Sequence, residues 1–163
     1  MNEQTGDDVL TSEEMLLWRG FLAWNQAVLS DVARDLLTET GLSSAEFQIL
    51  VRLSESKNRG LEQRQLAASL EWSPSRLSHQ LSRMETRGHL TRASEGPGHV
   101  VEIALTPRGH ELLLSALHVH ARAVRRSFLT ALTAGHRKAL LELASSIDRA
   151  RAAPTAGSDS TAI

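Results

Sequence analysis

Residues 73–83 place hydroxyls, two guanidiniums and an imidazole at helical spacing. Ser75, Arg76, His79, Ser82 and Arg83, followed by Thr86, fall on one side when successive residues are turned by about 100°. Leu77, Leu81 and Met84 fall on the other. The polar face holds no carboxylate. Its groups can donate to phosphate oxygens, and a guanidinium can also address the acceptor-rich edge of guanine. Ser73, Ser75, Arg76, Ser78, His79, Ser82 and Arg83 are therefore the first candidates for contact with a nucleic acid, joined by Arg92 and His99 from the segment that follows.

Other chemistries find less support. Of the 7 His, His118 and His120 are two residues apart and point to different sides of a helix, and His110 and His118 are separated by two turns. No His-Glu-x-x-His, Gly-x-Ser-x-Gly or phosphate loop occurs, so neither a metal centre, nor an enzyme, nor a bound cofactor is expected. The absence of Cys removes disulfides, thiolate zinc sites and thiol redox sensing.

The elements that must position the candidate face can be read around it. Ser73 suits an N-cap and Pro74 the first helical position, where no N–H is needed; Gly88 stops the helix. Upstream, Leu66, Ala67 and Leu70 form one side of a short helix, and small Ala67 allows a close crossing. The pair reads as a helix-turn-helix, its second helix the reader. Downstream, Leu90–Ser94, the turn Glu95-Gly96-Pro97-Gly98 and Val100–Leu105 read as a hairpin, and a hairpin in that place makes a winged helix-turn-helix. Leu61 is a candidate third strand.

Two long helices enclose this module. Thr11-x-x-Glu14 is a capping box opening a helix to about residue 38, with Leu17, Phe21, Trp24, Val28, Val32 and Leu36 in its apolar stripe and Trp18 beside it. Ser43-x-x-Glu46 opens the next helix. Thr106 and Thr133 cap two C-terminal helices. A stripe this wide on a long helix calls for a partner, and a second copy of the chain supplies one.

Several motifs now coincide. Trp18-Arg19-x-Phe21-Leu22, Gly41-Leu42-Ser43, Phe47-x-x-Leu50, Gln65-Leu66-Ala67, Ser75-Arg76-Leu77-Ser78-His79-Gln80, Met84-Glu85-x-Arg87-Gly88 and Leu105-Thr106-x-x-Gly109 resemble the MarR (multiple antibiotic resistance regulator) family. The resemblance covers residues 13–150. It implies a mainly α fold with a small β-hairpin wing, the winged helix-turn-helix (43–106) flanked by N- and C-terminal dimerisation helices (11–38 and 107–151). It further implies a homodimeric repressor that binds a palindromic operator in double-stranded DNA and is released by a small ligand, anionic and aromatic in some relatives. Such a ligand would draw on Trp18, Arg19, Phe21, Trp24, Phe47 and Arg52. The wing departs from the family: relatives carry an Asp and an Arg near its tip, where this chain has Pro97 and His99 in a shorter turn. The alternative is a winged-helix module that binds protein without reading DNA.

Length and charge set the frame. The 163 residues suffice for one domain, expected over 11–153 between disordered tails at 1–10 and 154–163. Net charge is −1, yet 59–95 carries six Arg against four Glu, and 106–151 eight bases against three acids. Local basicity matters because phosphate contacts act within about a Debye length, roughly 10 Å. No apolar run approaches the roughly 20 residues of a membrane span, and the acidic first residues do not read as a signal peptide, so a cytoplasmic protein is expected.

Overall fold

The computed structural model describes residues 9–56, 60–94 and 101–152. Both expected capping boxes are formed. The Thr11 side chain accepts from the Glu14 N–H while Glu14 reaches back to the Thr11 N–H, starting α1 (Ser12–Thr40). Ser43 and Glu46 do the same for α2 (Ser44–Glu55). Helix α1 runs two residues beyond the expected end, because its stop is Gly41 itself: at φ 69° Gly41 turns the chain and its N–H closes on the Leu37 carbonyl at 3.0 Å.

Strand β1 (Gly60–Glu62) leads into α3 (Gln63–Leu70) and α4 (Pro74–Thr86). Strands β2 (Leu90–Ala93) and β3 (Glu102–Leu105) follow, then α5 (Pro107–Ser127), a single 3₁₀ turn (Leu129–Ala131) and α6 (Ala134–Ala152). The sheet is antiparallel in the order β1-β3-β2, with Leu61 opposite Ile103 and Arg92 opposite Ile103 on its other side. Leu61 thus forms the expected third strand. The wing residues Glu95 to Val100, with Pro97 and His99, lie outside the described residues, as do the tails 1–8 and 153–163.

One core joins the helix-turn-helix and the sheet to the long helices. Leu36, Leu42, Ile49, Leu50, Leu53, Leu66, Leu77, Leu81, Met84, Leu90, Ile103 and Leu113 are its fully buried large side chains. Helix α5 docks by its first turn. Thr106 caps it, accepting from the Gly109 N–H at 2.9 Å and donating its hydroxyl to the Gly88 carbonyl at 2.7 Å. Along their length α1 and α5 are joined by Arg126 with Asp35 (2.8 Å), by Arg122 with Glu39, and by the Ser127 hydroxyl donating to Asp31 at 2.9 Å.

The outer helices are less covered than the stripe of α1 suggests. Only Val32 and Leu36 of α1 are buried, whereas Leu17 is 69% exposed and Phe21 53%. From Ala134 to Arg151 helix α6 has no buried residue, and Leu141, Leu143 and Ile147 are open. No helix among the described residues is long and apolar enough to cross a membrane.

Candidate nucleic-acid interface

The turn between α3 and α4 is Glu71-Trp72-Ser73. Glu71 adopts the left-handed conformation (φ 54°), uncommon for a residue with a Cβ, and its N–H donates to the Ala68 carbonyl at 3.1 Å. That reversal lets the Trp72 N–H close on the Ala67 carbonyl at 3.0 Å and leaves the indole half-buried against the core. Ser73 then caps α4 by accepting from the Arg76 N–H at 3.3 Å, and Pro74 is its first residue. At the far end Gly88 (φ 73°) lets the His89 N–H reach back to the Met84 carbonyl at 3.0 Å.

Helix α4 buries Leu77, Leu81 and Met84, as its periodicity predicts, and also Gln80. Opposite them Ser73, Ser75, Arg76, His79, Ser82 and Arg83 are exposed, with Ser78 half-buried at the margin. Glu71 in the turn and Glu85 at the flank are the exposed carboxylates nearest in sequence. The Arg76 guanidinium lies over the Trp72 ring, its central carbon 4.1 Å from the ring centroid. Arg83 donates to the Gln80 side-chain carbonyl, so a neutral acceptor at the edge of the core fixes its direction.

Arg92 takes a different role from the other candidates. It follows Leu90 by two residues on β2, so strand alternation turns it to the same inner face of the sheet. There its guanidinium donates to the Ser82 hydroxyl at 3.1 Å and to the Gln63 side-chain carbonyl at 3.2 Å, tying the wing to both helices of the motif.

A second brace, not anticipated from the sequence, holds the end of α4. Arg87 donates to Glu46 at 2.7 Å and to the Gly41 carbonyl at 3.2 Å. The Glu46 side chain is only 7% exposed and still serves its capping box through the other oxygen. The capping box was visible as a local pattern; the arginine 41 residues away was not. Buried His89, just beyond, has its pKa lowered by burial and then by Arg87 and Arg108, against the pull of Glu46.

The six residues named for a small ligand lie in separate surroundings. Trp18 and Phe21 stack on each other at 5.9 Å on the open part of α1, and Arg19 is exposed beside them. Trp24 stacks on Phe128 at 5.1 Å and lines a cleft of about 450 Å³ with Leu132, His136, Leu140 and Leu143. Phe47 stacks on His120 at 4.9 Å, and with Arg52, Val51 and Leu70 it lines another cleft of about 310 Å³. Arg52 is paired with Glu55 at 3.0 Å. His120 was not among the six; burial lowers its pKa and favours the neutral ring against Phe47.

No protein-family model and no curated protein sequence matches the chain. Solved structures do. AbsC, a MarR family transcriptional regulator from Streptomyces coelicolor, is 30% identical, with a TM-score of 0.78 over 88% of this chain and 97% of its own. Sco3205, a MarR family transcriptional regulator from the same organism solved in complex with DNA, is 30% identical, with a TM-score of 0.79 over 93% of this chain and 96% of its own. A mutant MarR from E. coli complexed with operator DNA shares the fold at 19% identity (TM-score 0.70, 86% of this chain, 99% of its own). With the helix-turn-helix, the three-stranded wing sheet and the flanking helices all matched at this identity and coverage, the chain belongs to the MarR family of transcriptional regulators.

Proposed function

We propose that the chain acts as a homodimeric repressor that reads a palindromic operator in double-stranded DNA with α4 in the major groove. The observation that carries this reading is the outer face of α4, where Arg76, His79 and Arg83 stand exposed among serine hydroxyls with no carboxylate on the same face. The DNA in the structure of the 30% identical Sco3205 supports it. Dimerisation is supported by the open apolar side chains of α1, α5 and α6, among them Leu17, Phe21, Leu117 and Leu143. A two-fold dimer would set two reading helices about one DNA turn apart. Release by a small ligand belongs to the same proposal, with the cleft lined by Phe47, Arg52 and Leu70 as its candidate seat.

The test begins by sequencing the fragments that the purified protein retains from its own genomic DNA. An enriched fragment with two related half-sites is expected, bound with an affinity that falls steeply with salt, by about 0.9 log units per log unit of salt for each phosphate neutralised. Arg76→Ala or Arg83→Ala should weaken that binding by about 10-fold or more where the arginine reads a guanine. No enriched fragment, or an affinity indifferent to salt, would favour the protein-binding module instead.

A further inference from the structure

We propose that Trp72 is a positioning residue for sequence readout: its indole face holds the Arg76 guanidinium in the attitude from which Arg76 addresses a base pair. The inference rests on the DNA-reading function proposed above. Arg76 sits in the first turn of α4, where side chains near the start of a reading helix reach base edges. Among the described residues its side chain has no carboxylate or carbonyl partner, whereas Arg34, Arg52, Arg87, Arg122 and Arg126 each pair with an acid. What it has is the ring, 4.1 Å away.

The kind of contact matters. A carboxylate would occupy guanidinium N–H groups edge-on and cancel the charge. A stacked ring engages the face and leaves every in-plane donor and the full charge available for a bidentate contact with guanine. An arginine already held in one attitude also loses less rotamer freedom on binding.

The ring is itself held. The Trp72 backbone N–H is bonded to the Ala67 carbonyl at 3.0 Å, the indole packs against the core, and left-handed Glu71 sets the direction from which the chain enters. The turn of the motif and the orientation of its first cation are thus one structural unit.

Wild type, Trp72→Leu, Trp72→Phe, Arg76→Ala and the double variant Trp72→Leu/Arg76→Ala are compared on an enriched genomic fragment and on random DNA of equal length. Trp72→Leu should weaken specific binding about 3- to 10-fold and change random binding less than about twofold. Trp72→Phe, with a smaller ring face, should fall between. In the Arg76→Ala background Trp72→Leu should add nothing, the signature of one shared interaction. Without DNA, the Arg76 side-chain proton resonances should carry a ring-current shift that Trp72→Leu abolishes.

Independent effects of the two substitutions, or equal losses on both DNAs, would overturn the inference while leaving DNA binding intact. A wild-type chain that binds neither DNA would overturn the functional reading, and this inference with it.

Discussion

Gly109→Ala sets two effects of opposite sign against each other within the first turn of α5. Alanine is the better helix former by about 1 kcal/mol, so propensity alone predicts a more stable protein. The added Cβ would lie 1.8 Å from the His89 carbonyl oxygen and 2.8 Å from its carbon. Both atoms are backbone, so no side chain can swing aside. Relief requires α5 to draw back from the end of α4 by more than an ångström. That movement breaks the Thr106 hydroxyl bond to Gly88 (2.7 Å) and the Thr106 N–H bond to His89 (3.3 Å), each worth about 1 kcal/mol net. Residual overpacking adds about 1–3 kcal/mol. The clash wins, and a loss of about 2–4 kcal/mol is expected after the propensity gain. Urea unfolding at fixed protomer concentration measures it, with Gly135→Ala as the control: near that position the closest atom is the Thr133 hydroxyl at 3.8 Å, and a gain of about 0.4–1 kcal/mol is expected. A Gly109→Ala protein as stable as wild type would refute the close packing of α5 on His89.

Removing the α4 brace by Arg87→Met should cost about 1–2 kcal/mol in the same assay. The figure is below the usual penalty for orphaning a buried charge, because Arg87 is itself 45% exposed and Glu46 keeps its bonds from Ser43; no loss would show that the pair contributes nothing. Leu143→Glu combined with Ile147→Glu, on the open face of α6, should yield a monomer by light scattering with helical content largely kept, and a persisting dimer would remove α6 from the interface. Stability should fall as pH drops from 7.5 to 5.5. The folded pKa values of His89 and His120 are lowered, so the unfolded chain protonates first, and stability is full above about 6.5 and lost below it. His120→Gln should flatten that decline, and an identical decline in both His120→Gln and His89→Gln would place its cause elsewhere.

Local signals in the sequence were sufficient for much of this fold. The capping boxes at Thr11 and Ser43, the Ser73-Pro74 start and the left-handed glycines at 41 and 88 act over three or four residues, and each stands where its spacing predicts. The exposed face of α4 was legible because Leu77, Leu81 and Met84 fix its buried azimuth. Roles set by distant contacts were not legible. Gln80 looks polar in the sequence but shares that azimuth and is buried. Arg92 looks like one more wing cation, yet its acceptors lie 10 and 29 residues away and draw it inward. The stripe of α1 predicts burial from Leu17 onward, whereas one copy of the chain covers only its C-terminal part. Among the residues named for a small ligand, helical spacing brought Trp18 and Phe21 together, but no periodicity could show that Trp24 meets Phe128 or that Phe47 meets His120.

Four arginines of the helix-turn-helix and wing, Arg76, Arg83, Arg87 and Arg92, divide by the charge of what holds them, and that division bears on how the face works. Arg87 is paired with Glu46, so its charge is largely cancelled and its part is to fix the end of α4. Arg83 and Arg92 are held by neutral groups, the Gln80 carbonyl for one and the Ser82 hydroxyl with the Gln63 carbonyl for the other. Arg76 is held by a ring face. A neutral acceptor fixes direction without removing charge, so these three guanidiniums are oriented and still fully cationic. Orientation serves discrimination between bases; retained charge serves attraction to phosphate. The two contributions separate in a salt titration. Arg76→Ala and Arg83→Ala should each lower the salt slope by up to about one unit, because each removes an unneutralised cation from the proposed interface. Arg87→Met should leave that slope unchanged, because its charge is already answered within the fold. A slope that fell equally in all three would mean that the Glu46 pair does not screen Arg87 from the DNA, and the distinction between bracing and reading arginines would fail.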